Sequence, residues 1–377
     1  MTALKTRAAV LRAVGAAPPY ASSKPLTIEE MDLSPPGRGE VLVAIKAAGL
    51  CHSDLSVING DRPRPLPMAL GHEAAGIVEA LGEGVEDMVI GDHVVMTFMP
   101  SCGHCLPCAE GRPALCEPGA AANGAGTLLG GGMRLRYKGQ PVNHHLGVSA
   151  FADRAVVSRR SLVRIDKDLP FEQAALFGCA VLTGVGAVVN TAQVKAGQSV
   201  AIVGLGGVGL AALLGAKAAG AAHIVAADLV AEKRALAIEL GATLAIDPRD
   251  PDAVQRVKQH TGGGVDAAIE VAGSVKALGF AYAITRRGGT TVTAGLANPA
   301  ERLDLQQVSL VAEERTLKGS YIGSCVPSRD IPRYVALFRT GRLPVDRLLS
   351  GTGSLDDINA AFDGLADGTS VRHVVLP

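Results

Sequence analysis

The chain has no tryptophan, and aromatic residues make up only 3% of its 377 positions, so its core must be built from aliphatic side chains. Charge is also scarce, at 19% of residues, against about 25% in an average soluble domain. Neither sign is in excess, with 36 basic and 36 acidic residues. That balance excludes a uniform basic field able to hold nucleic acid or an anionic membrane. The seven cysteines are too few for a disulfide scaffold, and the opening MTALKTRAAVLR lacks the long apolar run of a secretory signal. A reducing, cytoplasmic setting is expected. Two uncharged stretches, Gln173 to Val194 and Gly197 to Ala216, are long enough to raise the question of a membrane. Glycine interrupts both, and a strand-turn-helix unit buried on all sides reads equally apolar, so buried α/β structure is the expectation.

Glycine is abundant, at 46 residues, which signals tight turns and places where backbone must approach closely. The first 165 residues read as short β-branched runs, at 41–50, 74–82 and 92–98, broken by Pro and Gly turn signals. They suggest an irregular, barrel-like β domain. A Cys, Pro and Gly-rich stretch from Pro100 to Gln140 is too long for a structureless loop, so something besides hydrophobic packing must hold it. From about 180 the character changes. Strands at 199–204, 223–228, 265–273 and 289–296 alternate with helices at 208–220 and 231–242, the pattern of a doubly wound parallel sheet, or Rossmann domain. Helices at 331–343 and 354–368 and a strand at 372–377 look unlike a further nucleotide-binding half. The expected division is 1–180 as one domain, 181–322 as the second, and 323–377 returning to the first.

Cys102, Cys105, Cys108 and Cys116 lie within fifteen residues, and four thiolates so spaced can wrap one Zn2+ tetrahedrally and close its shell. Free or disulfide-linked cysteines and an iron–sulfur cluster are the competing readings. His104 and Glu110, inside the loop, read as solvated. Gly204-Leu-Gly206-Gly207-Val208-Gly209 follows a strand and opens a helix, and Asp228 ends the next strand. In that context the glycines allow a tight turn and close approach of a pyrophosphate to the helix N-terminus. Asp228 would accept from adenosine ribose hydroxyls and repel a 2′-phosphate, favouring NAD over NADP. Of the remaining residues, Cys51, His72 and Cys179 form a Cys2His set suited to a catalytic Zn2+ with one open position. The spacing is long-range, and by spacing alone a structural histidine and two buried thiols are the better reading.

GHEAAGIVEALGEGV (71–85), the four-Cys loop, GLGGVG (204–209) and LKGS (317–320) together resemble the medium-chain, zinc-dependent alcohol dehydrogenases, in order along essentially the whole chain. Within them the dimeric animal and plant enzymes and their bacterial relatives look most similar. The resemblance implies an NAD-dependent enzyme, homodimeric or homotetrameric, that interconverts an alcohol and its aldehyde or ketone with two Zn2+ per chain. It implies a catalytic zinc on Cys51, His72 and Cys179, with Glu73 behind it and Asp54 accepting from the ring of His72. His52 and Arg372 match residues that contact the cofactor pyrophosphate, Lys233 one beside the adenosine ribose, and Thr183 one near the nicotinamide. Ser53 matches the hydroxyl that bonds the substrate oxygen and begins a proton relay. Phe98, Leu146, Leu296 and Tyr321 would line the substrate pocket. Two departures stand out. Ser56 occupies the place of a histidine that ends the relay in the best known members. GAAANGAG (119–126) also lacks the arginine by which the similar glutathione-dependent formaldehyde dehydrogenases bind their substrate, which makes that subclass the alternative. A non-catalytic NAD- or zinc-binding interaction protein, the alternative from another class, fits poorly with intact Cys51, His72, Cys179 and Ser53.

Overall fold

A computed structural model describes residues 4–377. Two compact units are present: one runs through Cys179 and includes Val326–Pro332 and Leu349–Pro377, and the other comprises Ala180–Cys325 and Arg333–Leu348.

The second unit is a six-stranded, all-parallel sheet. Its order is Leu244–Ile246, His223–Ala227, Ser199–Val203, Val265–Glu270, Thr285–Thr293 and Thr316–Gly319. Ser199–Val203 is buried along its whole length, as a central strand covered on both faces must be. Numbered by sequence, the strand order is 3-2-1-4-5-6, which reverses direction between Ser199–Val203 and Val265–Glu270. Such a switch point is where open α/β sheets bind ligands, outside the carboxyl ends of the strands. The core is aliphatic, with Val203, Val225, Ile246, Val257 and Ile284 at its centre. The helices Ala253–Thr261 and Val275–Ile284, not anticipated from the sequence, supply the crossovers that parallel strands require. Among the described residues no helix is long and apolar enough to cross a membrane. The first uncharged stretch forms short helices, and the second forms a strand, a turn and the helix Gly207–Ala218.

The first unit is β-rich. A closed path of five strands begins with Leu4–Leu11 and Leu26–Leu33, and a seven-stranded sheet centres on Glu40–Gly49. That strand pairs with Glu73–Leu81, Arg154–Ser158 and, at its end, His373–Leu376. Without tryptophan, the largest fully buried side chains are Phe151, Phe177 and Phe362, and Phe151 and Phe362 are set among Leu, Val and Met.

One feature differs from the sequence expectation, and a second goes beyond it. The tail does not return as a whole: residues 333–348 pack with the second unit, where Leu343 and Val345 are fully buried. The Pro100–Gln140 stretch contains a helix, Glu117–Ala125, and the hairpin Leu135–Tyr137 with Gln140–His144. Periodicity hid that helix because its sequence, EPGAAANGA, carries no large apolar residue.

Candidate active site

Cys51 lies two residues past the end of the strand Glu40–Gly49 and caps the helix His52–Ile58. The Asp54 carboxylate, three residues on, accepts the Cys51 amide at 3.2 Å, so a helix cap fixes both residues at once. The other Asp54 oxygen accepts the Gly71 amide at 3.3 Å and stands 3.0 Å from His72 Nδ1. Gly71 has φ +95°, and a Cβ there would lie 2.4 Å from the Phe151 nitrogen, so only glycine can turn the chain into His72 at this point. With Nδ1 held by Asp54, His72 Nε2 faces Cys179 Sγ at 3.6 Å. The donor atoms of Cys51, His72 and Cys179 lie within 4.8 Å of one another. All three residues are buried, and both cysteines are free thiols.

The three side chains act on one another electrostatically: Cys51 is drawn toward thiolate, Cys179 is held as a thiol by its neighbour Cys51 and by burial, and His72 is drawn toward imidazolium. The Cys51 thiol is held well below its usual range by hydrogen bonding to Cys179 and to His72. Burial disfavours imidazolium at His72, but Asp54 outweighs it and holds the ring well above its ordinary value. Glu73 is fully buried, and desolvation pushes its carboxyl up to about 7 against the pull of Arg372. Two sulfurs and one imidazole nitrogen, converging in a buried pocket with the far ring nitrogen bonded to a carboxylate, are the donor set and outer support that Zn2+ prefers.

The second cysteine set also closes. Cys102, Cys105, Cys108 and Cys116 bring their sulfurs within 4.8 Å of one another. Backbone amides point at those sulfurs: Cys105 to Cys102 at 3.3 Å, Cys102 to Cys116 at 3.1 Å and Gly119 to Cys116 at 3.4 Å. At Cys102 such bonds outweigh burial and bring the thiol down to about 6, whereas at Cys116 burial outweighs them and raises it; four thiolates would fill a tetrahedral shell. His104 and Glu110 are exposed and outside the set.

In the other unit, Gly204 has φ +97°, and a Cβ on it would sit 2.7 Å from the Ala272 nitrogen. A Cβ on Gly209 would meet the Gly204 carbonyl at 1.8 Å, whereas one on Gly206 would meet nothing within 4 Å. Gly204 and Gly209 are thus demanded by the turn and the strand–helix packing. Gly206, with Gly207 and Val208 after it, leaves an open approach to the first amides of the helix, which lack intrahelical acceptors. Asp228 accepts the Leu205 amide at 2.7 Å and the Val230 amide at 2.9 Å, which aligns its carboxylate beside that loop. Lys233 is half-buried on the following helix, and Thr183 is buried on Ala180–Gly186.

The remaining expected positions divide. His52 is exposed and Ser53 half-buried on the helix that Cys51 caps. The Ser56 hydroxyl donates to the Ser53 carbonyl at 2.9 Å. Arg372 points inward: it is 3% exposed, donates to the Leu50 carbonyl at 2.8 Å and lies 3.6 Å from Glu73. Phe98 packs edge-on to His72 with 5.3 Å between centroids, and Leu146 is buried in the same unit. Leu296, at 53% exposure, and half-buried Tyr321 belong to the other unit.

Sequence reasoning missed His145. Its Nδ1 stands 3.1 Å from the same Asp54 oxygen that meets His72, and its ring packs edge-on to His72 at 5.3 Å. The His144-His145 pair was the available signal. The sequence also gave no hint that Arg64, distant in the chain, donates to the Asn123 carbonyl at 3.2 Å, inside the stretch that contains no arginine of its own.

A zinc-ready Cys2His centre on one unit and a glycine-rich dinucleotide loop on the other define a zinc- and nicotinamide-linked oxidoreductase. Two family models match: the alcohol dehydrogenase GroES-like domain over residues 37–167 and the zinc-binding dehydrogenase domain over 207–340. The chain is 40% identical over 376 residues to putative alcohol dehydrogenase D of Mycobacterium tuberculosis, covering 99% of this chain and 100% of that protein. It is also 40% identical, over the same shares, to an S-(hydroxymethyl)glutathione dehydrogenase of Synechocystis. The solved benzyl alcohol dehydrogenase of Acinetobacter calcoaceticus matches with a TM-score of 0.92 at 33% identity over 99% of both chains. The chain therefore belongs to the medium-chain zinc-dependent alcohol dehydrogenase family. It is an oxidoreductase that interconverts an alcohol with its aldehyde or ketone by hydride transfer, using zinc and a nicotinamide dinucleotide.

Proposed function

We propose that this enzyme interconverts a primary or secondary alcohol and its aldehyde or ketone with NAD rather than NADP, and that it carries two Zn2+ per chain. The observation that carries the reading is the meeting of Cys51, His72 and Cys179, from three distant segments, around one point with Asp54 behind the imidazole. Zinc there supplies a Lewis acid that makes an alcohol hydroxyl acidic without a strong protein base, and the dinucleotide accepts the hydride. The protein's own residues do the rest. Asp54 keeps the His72 proton on Nδ1 and so presents Nε2 as donor atom. Ser53 takes the hydroxyl proton and starts it outward. Buried Arg372 offsets the negative charge of Glu73 and the thiolates. Cys102, Cys105, Cys108 and Cys116 hold the structural ion. His52 serves the pyrophosphate, Thr183 the nicotinamide, and Lys233 and Asp228 the adenosine ribose, where Asp228 disfavours a 2′-phosphate.

Seven free thiols suit a cytoplasmic location. Exposed Val308 and Val311 on the helix Gln307–Ala312 suit a homodimer or homotetramer, which sedimentation would settle. The test of function is a panel of short aliphatic, long-chain and benzylic alcohols, assayed with each dinucleotide by the absorbance of its reduced form. NAD+ should give a kcat/KM at least ~10-fold above NADP+. Failure to turn over any alcohol with either dinucleotide would overturn the reading.

A second reading has an observation in its favour. Arg64 against Asn123 brings a guanidinium to the stretch where glutathione-adduct enzymes place theirs, and one of the 40% identical relatives is named for that activity. Formaldehyde oxidation that depends on added glutathione, and that Arg64→Ala weakens, would establish it.

A further inference from the structure

Asp228 is not the only carboxylate at the adenosine end of the sheet. The strands His223–Ala227 and Leu244–Ile246 run parallel in register, with Ala227 opposite Ile246. The next residues in each strand, Asp228 and Asp247, therefore stand side by side at the ligand-facing edge, and the Asp228 amide donates to the Ile246 carbonyl at 3.3 Å.

Two arginines converge on this corner. Arg234 donates to the Asp228 carbonyl at 2.7 Å and lies 3.5 Å from the Asp247 carboxylate. Arg249 donates to the Leu229 carbonyl at 3.2 Å and grips Asp247 with two nitrogens, Nε at 3.0 Å and Nη2 at 2.6 Å. The Arg249 backbone amide donates to Asp247 as well, at 2.9 Å. A guanidinium presents a fork that fits a phosphate as well as it fits a carboxylate. Here two of them border the residue expected to meet the ribose 2′-position, and both are turned toward one aspartate. Arg249 is 67% exposed at its side chain, so its bonds to Asp247 and to the Leu229 carbonyl are what restrain it.

We infer that cofactor preference is held by two carboxylates: Asp228 repels a 2′-phosphate directly, and Asp247 does so indirectly by occupying Arg249 and Arg234, which would otherwise recognise that phosphate. The inference rests on the reading of Asp228 as the ribose-binding residue. It makes Asp247 a specificity-determining residue that touches neither cofactor nor substrate. A surface ion pair contributes little to stability, so Asp247→Asn should fold as the wild type does.

The experiment measures binding of NADH and of NADPH by calorimetry to the full-length, zinc-loaded protein, in the wild type, D247N, D228S and the double variant. D228S should raise NADPH affinity relative to NADH. D247N should tighten NADPH by about tenfold, the worth of one freed charge-assisted bond, in both backgrounds, while NADH changes by less than about twofold. Adding R249Q to D247N should abolish most of the gain. If D228S shifts the preference and D247N does not, the inference fails and the Asp228 reading stands. If neither shifts it, both fail. A gain in D247N that survives R249Q would also overturn the inference, because it would come from net charge rather than from a released guanidinium.

Discussion

One carboxylate, Asp54, accepts the Cys51 and Gly71 amides and meets both His72 and His145, although the side chain is wholly buried. A buried anion is tolerated only when so fully partnered, and here the partners are also what aim the imidazole of His72. Asp54→Asn should therefore reduce zinc affinity at the Cys2His centre by about 10–100-fold, read by competition with a chelator, and should alter the absorption of a cobalt-substituted site. Unchanged metal affinity would show that Asp54 is only a helix cap. His144 gives a second prediction at this scale. Burial, with the Arg134 charge adding to it, pushes its pKa down to about 4, and its Nε2 accepts the Arg134 amide. The neutral ring is native, so its contribution is intact above the unfolded value of ~6.5 and is lost as pH falls from there toward about 4. The loss reaches about 3 kcal/mol at most. Urea midpoints should fall less steeply between about pH 6.5 and 4.5 in His144→Gln, whose amide oxygen can still accept that bond. Parallel curves for the two proteins would refute the assignment.

At the scale of an element, the strand-turn-helix at Ser199–Ala218 separates two kinds of glycine. Gly209 has no room for a methyl group, while Gly206 has open space and ordinary dihedrals, with φ −72°. Gly206→Ala should keep the wild-type Tm but weaken NADH binding by about tenfold or more, because a Cβ stands where a pyrophosphate would approach the helix amides. Gly209→Ala should lower Tm itself, since strand and helix must separate to admit it. Equal NADH affinity in wild type and Gly206→Ala would remove the loop from the cofactor site. The four-Cys element behaves differently. Its helices are short and built mostly of Ala, Gly and Pro, and Leu106 is 69% exposed, so little apolar burial is available to hold it.

For the whole molecule the consequence is two metals with separate duties. Elemental analysis of protein purified without chelator should give two zinc ions per chain. Cys116→Ser should lose one ion and lower Tm, because a structural ion contributes folding free energy directly. Cys51→Ser should lose the other ion and activity while Tm falls less. A single zinc in the wild type, or full activity in Cys51→Ser, would overturn the assignment.

The sequence by itself determined what is local. The alternation of strands and helices after residue 180, the glycine loop with Asp228, and the four closely spaced cysteines each lie within one or two adjacent elements, so their chemistry could be read from spacing. For the Cys2His set, spacing left alternatives open, and likeness to a family had to choose among them. What only the tertiary structure decided depends on chain segments far apart in sequence. His145 reaches Asp54 across ninety-one positions, and Arg64 reaches Asn123 from an unrelated loop. Residues 333–348 join the second unit because their apolar side chains find a buried place there. Asp228 and Asp247 become neighbours through parallel pairing of two strands. Side-chain periodicity says which face of an element is buried, but not against what; that partner is settled by long-range packing, which no window of sequence contains.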